Sequence, residues 1–153
     1  MPQLAVNTPV GFLAIAEEDG RIVSVDWGWP AESAETPLLA GARDQIEEYF
    51  AGTRTGFDLP LDPPGTVFQR KVWQALARIP FGATRSYGDL ARELGTAPRA
   101  LGGACGRNPI PILIPCHRVL AADRRLGGYS GFDGIDTKRF LLRLEGALDG
   151  DLG

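Results

Sequence analysis

The chain has 153 residues, 44% apolar and 23% charged, the balance of a soluble globular protein with one ordinary domain or two small ones. No apolar run approaches a membrane span, and Met1-Pro2-Gln3-Leu4-Ala5-Val6 lacks the basic flank and apolar core of a secretory leader. Two cysteines and one histidine supply neither a disulfide framework nor a structural zinc site, so no metal is expected and a reducing cytoplasm is the expected compartment. The net charge of −3 hides a division. Residues 1–65 hold three arginines against eleven acidic residues, a net of −8, whereas residues 66–146 hold thirteen basic residues against six acidic ones, a net of +7. A basic segment within an acidic chain is the footprint of a polyanionic partner.

In chain order, Gly11–Ala16 and Arg21–Trp27 read as strands, and Asp19-Gly20 between them suits a hairpin turn. Leu38, Leu39, Ala42, Ile46, Tyr49 and Phe50 recur at helical spacing over Pro37–Ala51, and Gly52 ends that helix. Thr53 to Gly65 carries three prolines and reads as an extended linker. This first unit, 1–62, shows no constellation of side chains that would perform chemistry.

The second unit, 66–146, opens with a helix expected to turn Phe68, Val72, Trp73, Leu76 and Ile79 to one face, stopped at Pro80-Phe81-Gly82. Ser86–Leu94 is a short helix, Gly95 turns the chain, and a second helix runs from Thr96 or Ala97 to about Gly106. Helix, tight glycine turn, helix is the helix-turn-helix pattern. The second helix contains Gly102, Gly103 and Gly106, each costing about 1 kcal/mol relative to alanine. Either a partner surface or a packed neighbouring helix must come close to justify them. Further on, Val119–Ala122 and Leu126–Tyr129 suggest a hairpin, 130–134 a loop, and Asp136–Leu144 a terminal helix with Phe140, Leu141 and Leu144 inward.

The densest chemistry lies in Pro115-Cys116-His117-Arg118-Val119, a thiol beside the chain's only histidine. Thiolate is the nucleophilic form, and a neighbouring histidine or cation shifts a thiol toward it. Neighbouring side chains in extended backbone face opposite ways, so cooperation between Cys116 and His117 needs a turn or a bridging water. A carboxylate partner would orient the imidazole and favour its protonated form.

Three stretches together resemble the O6-alkylguanine-DNA alkyltransferase family: Arg99–Ala104, Asn108–Val119 and Gly128-Tyr129-Ser130-Gly131. The resemblance implies an α/β (α+β) fold, with a small sheet-and-helix N-terminal domain before a mostly helical domain holding the helix-turn-helix and active-site loop. It implies a single-use repair protein that flips O6-alkylguanine out of duplex DNA and takes the alkyl group onto Cys116, without a cofactor. O4-alkylthymine is a second candidate substrate. His117 would act as base through a water, Glu145 would support His117, Asn108 would brace the helix pair against the loop, and Tyr87 would assist at the guanine ring. Arg99 would fill the space left by the extruded base, on a helix laid in the minor groove. Ser130 and Tyr129 would close the pocket. Ala100, Gly102, Arg118 and Val119 complete the residues expected to face substrate or DNA. The expected form is a monomer, with assembly along DNA as the alternative, located in the cytoplasm and, in a prokaryote, at the nucleoid. Two rivals stand beside this reading: a non-catalytic damage-binding module and an unrelated Cys-His hydrolase.

Overall fold

The computed structural model describes residues 1–121, 126 and 134–147. A three-stranded antiparallel sheet opens the chain: β1 (Gln3–Thr8), β2 (Gly11–Glu18) and β3 (Arg21–Trp27), in that spatial order. Asp19 and Gly20 both take positive φ, 53° and 74°, the signature of the two-residue hairpin turn expected there. β1 was not foreseen. It buries only Leu4 and Val6, too short an alternation to read as a strand until its pairing from Gln3↔Ala16 to Thr8↔Gly11 is seen.

Helix α1 (Pro37–Phe50) starts where Thr36 accepts from the Leu39 N–H, with Pro37 preset for the first turn. It lays Leu39, Ala42, Ile46 and Tyr49 on the core. Gly52 at φ 81° closes it, with Gly52 N–H donating to Tyr49 O and Thr53 N–H to Glu48 O. The proline-rich linker is pinned rather than loose. Ile22 donates to Pro60 O and Asp62 to Ile22 O, both at 2.8 Å, which covers the free edge of β3.

Helix α2 (Val67–Ala77) has a capping box formed by Thr66 and Gln69 and buries Val72, Trp73, Ala75 and Leu76. Phe68, expected inward, is 37% exposed. It occupies the first turn, ahead of the point where Trp73 Nε1 donates to Ala104 O at 2.9 Å and ties α2 to the helix-turn-helix. That unit is α3 (Tyr87–Leu94), capped by Ser86, then Gly95 in the left-handed region at φ 68°, then α4 (Pro98–Gly106) with Pro98 in its first turn.

Strand β4 (Arg85–Ser86) pairs in parallel with β5 (Val119–Leu120). The first arm of the expected hairpin therefore joins the segment before α3. Of the second arm only Leu126 lies within the described residues, and the 130–134 loop lies outside them except for Gly134.

Helix α5 (Ile135–Leu144) turns Thr137, Lys138, Leu141 and Leu142 inward, while Phe140 is 40% exposed. The inward face is rotated from the one expected because a buried lysine occupies it, and a hydrophobicity reading passes over lysine. The main hydrophobic core runs from Leu4 and Val6 of β1 through α1, α2 and α4 to Cys116 and Leu141, and a smaller cluster joins Leu120, Leu126 and Leu142. The mixed sheet-and-helix class and the order of sheet before helices are as expected.

Candidate active site and nucleic-acid interface

The segment between α4 and β5 folds back on itself. Asn108 Nδ2 donates to Ile114 O at 2.8 Å and its Oδ1 accepts from the Ile110 N–H at 3.0 Å, so one side chain staples both ends of the loop to the end of α4. Ile112 sits at φ 72°, a conformation costly for a β-branched residue, held by the Pro111–Ile114 bridge and near-complete burial. Pro115, at φ −81° and ψ 67°, makes a tight inverse turn closed by Cys116 N–H to Ile114 O at 2.8 Å. Cys116–Arg118 then form a 3-10 turn. Backbone here is turned, not extended, and that lifts the objection to adjacent Cys and His side chains cooperating.

Glu145, the C-cap of α5, gathers four donors. His117 Nε2 lies 2.7 Å from its Oε2 and the Tyr49 hydroxyl donates to the same oxygen at 2.6 Å. Arg118 binds with Nη2 at 3.0 Å to Oε2 and Nε at 2.8 Å to Oε1. Arg118 also donates to Ile79 O at 2.6 Å and lies over the Phe81 ring. Burial alone would raise the Glu145 carboxyl, but hydrogen bonds from His117, Arg118 and Tyr49 outweigh it and hold the group at about 2. An ionised Glu145 only accepts, so the His117 proton must reside on Nε2. Nδ1 then carries the lone pair, and among the described residues it has no hydrogen-bond partner. The imidazole is left as a base whose buried Nδ1 meets no donor or acceptor among the described residues.

The resting electrostatics correct one expectation. Burial pushes the Cys116 thiol up, against the pull of the Asn108 side chain and the Lys138 charge. Burial likewise lowers His117, and Arg118 and Lys138 add to that effect, together outweighing the upward pull of Glu145. Carboxylate support is present, yet the imidazole is held neutral and the thiol protonated. At rest the two are a neutral pair, not an ion pair.

Around the thiol, Tyr87 at the start of α3 is pushed up to about 12 by burial and by Cys105 and Cys116, so its hydroxyl stays a donor. Lys138 is fully buried, donates to Val119 O at 2.7 Å and lies 5.8 Å from the Tyr87 ring centroid. Burial brings it down to about 8. Tyr49 and Lys138 escaped the sequence reading. Tyr49 sits in the apolar stripe of α1, where it reads as core. Lys138 could have been found from its spacing, since it lies two turns before Glu145 on the face that also carries Leu141 and Leu142.

The helix-turn-helix presents a different surface. Arg99 and Ala100 are exposed at the start of α4 and Gly102 is half-buried. Beyond its own turn of helix, a Cβ at Gly102, Gly103 or Gly106 would meet no atom of the described residues within 4 Å. Packing by a neighbouring helix is therefore not what these glycines serve, and the approach of a partner surface is the explanation left. Arg70, Lys71, Arg78, Arg99 and Arg107 are exposed and form no ion pair among the described residues. Arg118 and Val119, expected to face substrate or DNA, are instead buried: Arg118 is 6% exposed and committed to Glu145, while Val119 is fully enclosed. Tyr129 and Ser130 lie outside the described residues.

Comparison with known proteins agrees over more than nine-tenths of the chain. The family model "6-O-methylguanine DNA methyltransferase, DNA binding domain" matches residues 67–147, and "6-O-methylguanine DNA methyltransferase, ribonuclease-like domain" matches residues 4–63. The constitutive methylated-DNA–protein-cysteine methyltransferase of Bacillus subtilis is 49% identical over 152 residues, covering 91% of this chain and 92% of its own. A protein of that name from Mycolicibacterium paratuberculosis is 46% identical over 153 residues, covering 92% and 89%. Among solved structures, Mycobacterium tuberculosis OGT in complex with DNA superposes with a TM-score of 0.87 at 41% identity, over 96% of this chain and 94% of that one. Sequence, fold and site converge: the chain belongs to the 6-O-methylguanine DNA methyltransferase family, whose named members transfer methyl groups from methylated DNA to a protein cysteine.

Proposed function

We propose that this protein repairs duplex DNA by moving the alkyl group of a flipped O6-alkylguanine onto Cys116, once per molecule. The observation that carries the reading is the buried Cys116 next to an imidazole fixed by Glu145 as the Nε2–H form, its Nδ1 without a hydrogen-bond partner among the described residues. His117 Nδ1 takes the thiol proton through a bridging water as the sulfur attacks. A bond forms between sulfur and the alkyl carbon, the bond from that carbon to O6 breaks, and its electron pair stays with guanine. Tyr87 donates toward the guanine ring as this charge develops, and the proton held on His117 restores the balance. Starting from a neutral pair keeps the buried thiol unreactive until substrate fills the site. Thioether formation leaves no route back, so the protein is consumed.

α4 enters the minor groove with its glycine face against the DNA, and Arg99 occupies the gap left by the extruded base. That insertion recovers part of the few kcal/mol that unstacking costs. The exposed basic residues hold phosphates, while Arg118 acts inside the protein, neutralising Glu145. The units 1–62 and 66–146 act as one monomer in the cytoplasm. O4-alkylthymine is the second substrate to be compared.

The test follows the DNA. With O6-methylguanine duplex in excess, repaired guanine should rise to one equivalent per protein and stop, and Cys116→Ala should repair none. Continued turnover would overturn the reading, as would binding without repair.

A further inference from the structure

We propose that Tyr49, contributed by helix α1, is a positioning residue that sets how strongly Glu145 holds His117, making the N-terminal unit part of the catalytic apparatus. The inference rests on the reading of Cys116 and His117 given above. Its geometry is specific. The Tyr49 hydroxyl donates to Glu145 Oε2 at 2.6 Å, the same oxygen that takes His117 Nε2 at 2.7 Å. Donor and donor compete for one acceptor. The two residues are 96 positions apart and both are buried.

The tyrosine ring is fixed from three sides. Phe50, Phe57 and Phe81 lie at centroid distances of 5.0, 5.4 and 6.3 Å, drawn from α1, the linker and the turn after α2. Glu145 is held as well, because Arg118 binds both of its carboxylate oxygens, at 2.8 and 3.0 Å. With both partners immobilised, the hydroxyl delivers its hydrogen bond at a fixed point. Burial, with Glu145 second, raises the phenol, so it remains a donor throughout the working range.

The sign follows from the sharing. A hydrogen bond from Tyr49 draws negative charge on Oε2 away from His117. Removing it leaves that oxygen a stronger partner for the imidazolium, so His117 becomes more basic. The other charged groups bearing on His117, Lys138 from α5 and Arg118 from its own segment, are untouched by that removal. α2 also packs near the turn, but its Arg70 and Lys71 are exposed.

Tyr49→Phe keeps the ring and deletes only the hydroxyl. Single-turnover methyl transfer from a saturating O6-methylguanine duplex is to be followed from acid to alkaline pH. The inference expects the acid limb to move to higher pH by roughly half a unit, the share of a unit shift that a typical single hydrogen bond supports. His117 is the sole histidine, so its ring 15N resonances report the same change without assignment. Phe57→Leu loosens the same packing while sparing the hydroxyl; it should lower the melting temperature and leave the acid limb where it is. A Tyr49→Phe profile superimposable on that of the unaltered protein overturns the inference, as does an equal shift in Phe57→Leu. Failure of the unaltered protein to methylate Cys116 would instead overturn the underlying reading.

Discussion

Glu145 shows how one carboxylate can organise a site. It fixes the His117 tautomer, neutralises a buried arginine and receives Tyr49, and those bonds hold its carboxyl at about 2. Its pKa is depressed on folding from the ordinary 4.5, so its stabilisation is complete above about pH 4.5 and is lost as pH falls toward 2. The full effect is on the order of 3 kcal/mol. His117 acts in the same direction. It is held neutral while the unfolded chain protonates below about 6.5, so stability falls from there downward. Denaturant titrations between pH 7 and 3 should therefore show stability declining. Glu145→Gln should be less stable at neutral pH, by roughly 3–5 kcal/mol for an uncompensated buried Arg118, and should lose the acid dependence between 4.5 and 3. A Glu145→Gln curve parallel to that of the unaltered protein would contradict this account. At this scale the acceptor motif was legible, since Cys116, His117 and Asn108 lie in one continuous stretch. The neutral resting pair was not, because burial, the dominant influence on both groups, is not written in nearest neighbours.

Among the elements, α4 is the one whose composition works against its own stability. Three glycines whose Cβ positions meet no atom of the described residues beyond their own turn, beside the exposed Arg99 and Ala100, describe a helix kept thin for a partner. Gly102→Ala and Gly103→Ala should each stabilise the folded protein by up to about 1 kcal/mol in thermal melts. Each should weaken duplex binding in fluorescence anisotropy. Stabilisation without loss of binding would remove the glycine face from the interface. Punctuation made the helix-turn-helix readable: Ser86 caps α3, Gly95 ends it and Pro98 opens α4. Elements lacking such signals were misread. β1 needed its neighbour to define it, β5 found a parallel partner in Arg85–Ser86, and α5 hid a lysine on its inner face.

In the whole molecule, a −8 acidic part and a +7 basic part share one hydrophobic core. The charge division and its implication of a polyanion were visible in the sequence. The joint was not. Tyr49 to Glu145, and Val25 N–H to Pro109 O at 2.9 Å, connect segments far apart in the chain, and neither leaves a local pattern. Through them the basic half has its reactive turn braced by the acidic half. The account as a whole stands on the identity of the acceptor, and two buried thiols are available, Cys116 and Cys105, the latter pushed up to about 12 by burial and by Cys116. The most direct measurement is peptide mass mapping after incubation with O6-methylguanine duplex. The account predicts one methyl group per molecule on the Cys116 peptide and an unmodified Cys105; a methyl on Cys105, or none on either, would contradict it.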